Sequence, residues 1–171
     1  LEAKGRMSTA EISACKSRLQ TAGQLSDMAS CSLVIEAIVE NLDIKQALFN
    51  QLESLVAPDA LLATNTSSLS VTAIAARLKY PGRFAGFHFF NPVPLMKVVE
   101  VVAGIRTQES VCAALREYAR KLGHTPVQAQ DTPGFIVNHA GRGFGTEALR
   151  IVSEGICDFA TVDRILRDQC G

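Results

Sequence analysis

The sequence predicts an α/β domain built on a mainly parallel sheet, followed from Thr132 by the opening of an all-helical domain. Short apolar runs alternate with stretches of helical period between residues 32 and 129, and runs of that size suit strands covered on both faces. Beyond Thr132 the texture changes and no strand-like run recurs.

The elements follow in chain order. Ser8-Thr9-Ala10-Glu11 has capping-box spacing, and Ile12, Cys15 and Leu19 continue a helical period, so a helix is expected over 8–21, ending before Gly23. Ser32–Ala37 reads as a buried strand. Leu42–Leu55 reads as a helix with Ile44, Ala47, Leu48, Leu52 and Leu55 inward. Leu61–Ala63 is the next strand, ending at Thr64–Ser68, and Ser70 caps a helix running from Val71 to Leu78. Arg83–Phe90 and Lys97–Val102 form a hairpin, because Pro92 and Pro94 fix φ and remove two backbone donors between them. Thr107 caps a helix whose inward residues are Val111, Ala114, Leu115, Tyr118 and Leu122, and Pro126–Ala129 supplies a last strand. Pro133 suits the first turn of a helix over 134–154, and a second helix is expected over 159–167.

Composition narrows the partners. The chain has 171 residues, 47% of them hydrophobic, enough for a sizeable core. Lys plus Arg and Asp plus Glu both number 17, which advertises neither a nucleic-acid nor an anionic-membrane partner. Five scattered cysteines without Cys-x-x-Cys spacing argue against a disulfide framework and a zinc site, and fit a reducing cytoplasm or organelle matrix. No apolar run reaches the roughly 18 residues of a membrane helix. The opening Leu1–Arg6 has no leader character, and the lack of an initiating Met points to residues missing upstream.

Chemistry concentrates in three places. On the hairpin, His88 and Glu100 can become neighbours, and a carboxylate on one ring nitrogen fixes the tautomer of an imidazole that exchanges protons near neutral pH. The same spacing also fits a buried histidine satisfied by a backbone carbonyl, with Glu100 solvated on an edge. At the carboxyl ends of the strands, where open α/β sheets bind ligands, lie Glu36–Glu40 and Asn65–Ser68. These short polar residues can serve a ligand or merely cap turns. Asn138 falls one turn inside the first helix after Thr132, a poor position for asparagine unless its amide faces a cleft or solvent. Gly141-Arg142-Gly143-Phe144-Gly145 is not a phosphate loop, since it follows no strand and lacks G-x-G-x-x-G spacing. Close helix packing explains it better, and nothing else supplies a dinucleotide fingerprint.

Together, Val34–Glu40, Asn65–Ser68, His88–Met96 and Asp131–Asn138 closely resemble the 3-hydroxyacyl-CoA dehydrogenase family, over residues 30–155. The resemblance implies an incomplete Rossmann-type NAD-binding domain over 1–131 and the start of a helical substrate and dimerisation domain over 132–171. It further implies NAD-dependent oxidation of an (S)-3-hydroxyacyl-CoA ester, in fatty-acid or phenylacetate-type metabolism, by a homodimeric cytoplasmic enzyme. His88 would be the base, Glu100 its orienting partner, and Ser67 and Asn138 would complete the catalytic site and meet the substrate. Ala37, Glu40, Lys45, Asn65, Ser67 and Asn91 would contact the cofactor; without the family context, Glu40 and Lys45 read as an exposed loop acid and a helix-surface lysine. The family's initial strand, glycine-rich turn and ribose-binding acid are not found here, so an internal fragment with little or no NAD affinity or activity of its own is expected. His139-Ala140 replaces the family's usual arginine and apolar residue.

Two other readings stand beside this one. A 2-hydroxyacid or 6-phosphogluconate-type dehydrogenase would bring a lysine base where this chain has Asn138 and His139. A non-catalytic structural or association role has no need to keep Ser67, His88, Glu100 and Asn138 together.

Overall fold

The computed structural model describes residues 7–169; the Leu1–Arg6 opening and Cys170 lie outside the described residues. Helix α1 (Thr9–Lys16) and a 3-10 turn (Leu25–Met28) lead into β1 (Leu33–Glu36), α2 (Leu42–Leu55), β2 (Leu61–Thr64) and α3 (Val71–Ala75). A second 3-10 turn (Pro81–Arg83) precedes β3 (Phe84–Phe89), β4 (Val98–Ala103), α4 (Glu109–Lys121), β5 (Thr125–Gln130), α5 (Val137–Ser153) and α6 (Phe159–Gln169). The strands form one sheet in the order β1-β2-β3-β4-β5. Among the described strands, only the β3–β4 pair is antiparallel.

Strand period sorts the core into two layers. Leu62, Phe84 and Val102 join Phe49, Leu52 and Ile74 under α2 and α3, while their chain neighbours Ala63, Ala85 and Val101 join Val111, Cys112 and Leu115 under α4. Gly86 on β3 admits no side chain, since a Cβ there would lie 2.8 Å from Val102 Cβ and 2.9 Å from Val71 Cγ2. His88 and Glu100 follow the parity of Phe84 and Val102, so both face the layer carrying α2 and α3.

Several helices differ from expectation for identifiable reasons. Helix α1 has its capping box but stops at Lys16, buries nothing, and leaves Leu19 73% exposed; without an apolar partner surface a helix this short gains little from extension. The buried stripe of α2 is Lys45, Gln46, Phe49 and Leu52, and Ile44, Ala47 and Leu55 face out. The polar pair turns inward because Lys45 meets Glu36 and the Gln46 amide donates to Ala73 O at 2.7 Å.

Helix α3 is only five residues long. Its first amides are all satisfied: Val71 N and Thr72 N donate to Asp131 at 2.9 and 2.8 Å, Ala73 N to Ser70 Oγ, and Ile74 N to Ser70 O. Thr107 does not cap α4. Its hydroxyl donates to Phe84 O and accepts from Gly104 N, and Gln108 takes the cap position without a side-chain bond. Leu122 stays out of the α4 packing, 61% exposed.

Helix α5 starts at Val137, not at 134, because Gly134 (φ 80°) and Phe135 (φ 49°) take left-handed conformations incompatible with a helical turn. Added Cβ atoms at Gly141, Gly143 and Gly145 would meet nothing within 4 Å, so the expected close packing at those glycines is not seen among the described residues. Phe144 and Ile151 of α5 and Val162 and Leu166 of α6 line a shared apolar cavity. Neither helix buries a residue, and Phe144, Leu149 and Phe159 are each at least 60% exposed. No described helix is long and apolar enough to cross a membrane. The four described cysteines are free.

Candidate active site

The β3–β4 register pairs His88 with Glu100. The loop between them carries a cis Asn91–Pro92 peptide and closes with Leu95 N and Met96 N donating to Pro92 O. His88 Nδ1 lies 2.7 Å from Glu100 Oε2, with the residues 3% and 0% exposed, which excludes a solvated Glu100. With Glu100 ionised, Nδ1 carries the proton and donates to it. The opposite nitrogen, Nε2, then accepts from the Ser67 hydroxyl at 3.0 Å.

Glu100 has a second engagement. Its Oε1 accepts Ile136 N at 2.8 Å and Val137 N at 2.9 Å, the opening amides of α5. A carboxylate there meets the positive end of a helix dipole as well as two unpaired donors. Phe90 and Phe135 stand edge-on to the imidazole, at 4.6 and 5.6 Å between ring centroids, and shield it.

The connector into α5 is pinned at its other end by Asp131, whose carboxylate accepts Ser70 Oγ, Val71 N and Thr72 N. Burial works against ionisation of Asp131, but the Thr72 and Ser70 hydroxyls and the Thr72 and Val71 amides hold its pKa below the usual value. Two carboxylates thus fix the path from residue 131 to 137.

Ser67 is placed by its own loop. Glu40 Oε1 accepts the Thr66 hydroxyl, Ser67 N at 3.0 Å, Ser68 N at 3.2 Å and Ser68 Oγ at 3.1 Å. Burial alone would raise the Glu40 pKa. The Thr66 hydroxyl, Ser67 amide, Lys45 ammonium and Ser68 hydroxyl outweigh it and hold the carboxyl at about 2.

Lys45 is no surface lysine: it is 1% exposed, and its ammonium donates to Glu36 Oε1 at 2.5 Å and Ile38 O at 3.3 Å while lying 3.3 Å from Glu40 Oε2. Two of its N–H groups hydrogen-bond within the chain, and Glu40 Oε2 lies beside it as a further counter-charge. Asn65 is likewise committed, its Oδ1 accepting Phe89 N at 2.8 Å. Ala37 and Asn91 are exposed beyond β1 and β3. Asn138 is the second residue of α5, next to the amide that Glu100 holds, half-buried and without a side-chain hydrogen bond among the described residues.

Sequence reasoning placed Glu36 at a ligand-binding strand end and Asp131 in a family motif but assigned no role to either, nor to Thr64. The signal for the first was a lysine four residues before Phe49 and seven before Leu52, on a stripe that faces the core. A buried lysine requires a buried acid, and Glu36 is the acid at the neighbouring strand end.

Chemically, the Ser67–His88–Glu100 line can take a proton from a hydroxyl and return it. Its spacing also matches that of an activated serine nucleophile. The amides of Ser67 and Ser68, which would have to stabilise an acyl oxyanion, already donate to Glu40. Proton exchange with a ligand hydroxyl is the use these contacts leave open.

A family model described as 3-hydroxyacyl-CoA dehydrogenase, NAD binding domain, matches residues 1–132, and one described as the C-terminal domain of the same family matches 134–171. The chain is 44% identical over 168 residues to 3-hydroxyadipyl-CoA dehydrogenase of Escherichia coli K12, covering 98% of the chain and 35% of that relative. It is 41% identical over 167 residues to a probable 3-hydroxybutyryl-CoA dehydrogenase of Deinococcus radiodurans, covering 98% of the chain and 60% of the relative. The chain thus spans between about a third and three fifths of these relatives' lengths. The crystal structure of (S)-3-hydroxybutyryl-CoA dehydrogenase PaaH1 from Ralstonia eutropha superposes with TM-score 0.92 at 32% identity, over 98% of this chain and 59% of that one. The 3-hydroxybutyryl-CoA dehydrogenase structure from Escherichia coli K12 gives 0.92 at 43% identity, over 97% and 35%. With both family models and close relatives matching in the same order along nearly its whole length, the chain belongs to the 3-hydroxyacyl-CoA dehydrogenase family.

Proposed function

We propose that the protein carrying this chain oxidises an (S)-3-hydroxyacyl-CoA to the 3-oxoacyl-CoA with NAD, His88 acting as the base. The observation that carries this is the hydrogen-bonded line Ser67–His88–Glu100 at the carboxyl end of the sheet, buried at His88 and Glu100 and exposed at Ser67. When bound, NAD supplies the hydride acceptor for C3. The chain's own residues manage the proton. His88 Nε2 takes it from the 3-hydroxyl, Glu100 steadies the imidazolium, and the Ser67 hydroxyl donates to the oxygen as its charge grows.

The exposed residues beyond the strand ends, Ala37, Ser67 and Asn91, suit a nicotinamide and its ribose, with Asn65 fixing the strand end beneath them. Glu40 and Lys45 serve that cofactor surface from behind, through the loop they hold. Asn138, with its amide free at the start of α5, is assigned to the substrate. We divide the chain into a partial cofactor domain, 1–131, and the start of a helical domain, 132–171, whose exposed Phe144, Leu149 and Phe159 support association into a homodimer. The free cysteines support a cytoplasmic setting, and the acyl-CoA relatives support a place in fatty-acid or phenylacetate-type metabolism.

The test is acetoacetyl-CoA reduction by the full-length protein, followed by NADH absorbance. His88→Ala should lower turnover by about 10³-fold or more and leave NADH affinity within about twofold. An unchanged rate would remove His88 from the reaction.

A further inference from the structure

Glu36 is unaccounted for by proton transfer or by contact with a ligand. It is 4% exposed, and its carboxylate accepts three donors: Lys45 Nζ at 2.5 Å, Ile38 N at 2.6 Å and Thr64 Oγ1 at 2.7 Å. A neutral amide could accept from Ile38 N at the Oε1 position and donate to Thr64 Oγ1 from the Oε2 position. Only an anion can hold Lys45 there as a buried cation, and burying such a pair for stability alone gains little.

The pair leads to the base in a continuous line. Lys45 sits 3.3 Å from Glu40 Oε2 and 3.3 Å from Ile38 O, so its head group is fixed between β1 and the following loop. Glu40 is the more exposed acid, its side chain 38% accessible, and Lys45 is its fixed counter-charge. With Oε2 so held, Oε1 is aimed at Thr66, Ser67 and Ser68. Ser67 then places its hydroxyl 3.0 Å from His88 Nε2.

We propose that Glu36 is a positioning residue: by anchoring Lys45 it fixes the Glu40 carboxylate, and through it the backbone of Ser67 and the hydroxyl that faces His88. The consequence for catalysis rests on the dehydrogenase reading; the consequence for the 66–68 loop does not. A shift of that hydroxyl by a fraction of an ångström suffices to slow a proton transfer whose geometry is tight.

The experiment compares Glu36→Gln, Glu40→Gln and the double variant in the full-length protein. Backbone amide exchange at Ser67 and Ser68 should accelerate about tenfold or more in Glu36→Gln, with β3 and β4 amides unchanged. With 3-hydroxybutyryl-CoA and NAD, kcat should fall about tenfold while KM for the ester stays within about twofold. The double variant should be no worse than Glu40→Gln alone, since both act through one loop.

Additive losses, or unchanged exchange at Ser67 and Ser68, would overturn the proposal. Faster exchange at the two serines in a protein whose parent turns over no acyl-CoA ester would support the positioning role and defeat the dehydrogenase reading instead. Should Glu36→Gln fail to fold, Glu36→Gln with Lys45→Met removes both buried charges at similar volume. The same acceleration is expected there, and its absence counts equally against the proposal.

Discussion

Glutamine at position 100 would keep the shape of the side chain and change only what it can accept. Glu100 Oε1 is held by two backbone amides, Ile136 N and Val137 N, which have no freedom to become acceptors. The glutamine oxygen must therefore stay on α5, and its NH₂ group must face His88 Nδ1 across the 2.7 Å contact. An NH₂ donor there forces the ring to accept at Nδ1, which moves its proton to Nε2, the nitrogen facing Ser67. In that tautomer His88 is no base.

The wrong tautomer of an acid-oriented catalytic histidine costs about 10⁴ in kcat in serine proteases, or about 5.5 kcal/mol of barrier at 1.36 kcal/mol per decade. Stability should change far less. Three charge-assisted hydrogen bonds become neutral, losing about 1 kcal/mol each, while a buried amide is cheaper to desolvate than the carboxylate it replaces, which is 0% exposed. The expected pattern in Glu100→Gln is kcat lower by 10³ to 10⁴, as an order of magnitude, with a thermal midpoint within about 4 °C of the parent. Nitrogen NMR of the imidazole should report the proton on Nε2. A rate within tenfold of the parent, or a ring still protonated at Nδ1, refutes the reasoning.

Other perturbations test the scaffold. Asp131→Ala removes the acceptor of two α3 amides and the Ser70 hydroxyl, and should cost about 2 kcal/mol in urea unfolding; a loss under 0.5 kcal/mol would deny the clamp, with that figure taken as about the limit for ordinary surface changes. Gly134→Ala places a Cβ 3.1 Å from His139 N at φ 80° and should cost about 1–2 kcal/mol; calorimetry showing no loss would contradict the left-handed turn. Glu40 is held at about 2 against 4.5 for a free glutamate, so the unfolded chain takes up the proton first as pH falls. Its stabilisation is complete above pH 4.5 and lost towards pH 2; with the side chain 38% exposed, solvent screening reduces the effect to about 1 kcal/mol. Glu40→Gln should remove that slope from acid titrations of unfolding free energy, and identical slopes would show that the carboxylate is not held as described.

Much of the fold is legible because strand pairing repeats a period of two. The hairpin partners His88 and Glu100 can be read from the prolines between two apolar runs, and the register pairs them. Helix boundaries are less legible where tertiary contacts claim the residue that would set them. Thr107 spends its hydroxyl on Phe84 O, and Gly134 and Phe135 turn the chain before α5. Helical period fails to orient α2 because Lys45 enters the core on the strength of an acid nine residues away. No spacing rule announces the contacts from Thr64 to Glu36 or from Asp131 to Thr72, since those partners lie 28 and 59 residues apart and meet only when the sheet has formed.

The two oxygens of Glu100 report to different masters: one meets the His88 ring, the other the first turn of α5. Loosening the amide grip leaves more negative charge for the imidazolium, and charging the ring draws that density away from α5. By reciprocity the seating of α5 and the protonation of His88 are linked variables, each biasing the other by the same free energy. Any displacement of α5 would reach the His88 ring through that one side chain.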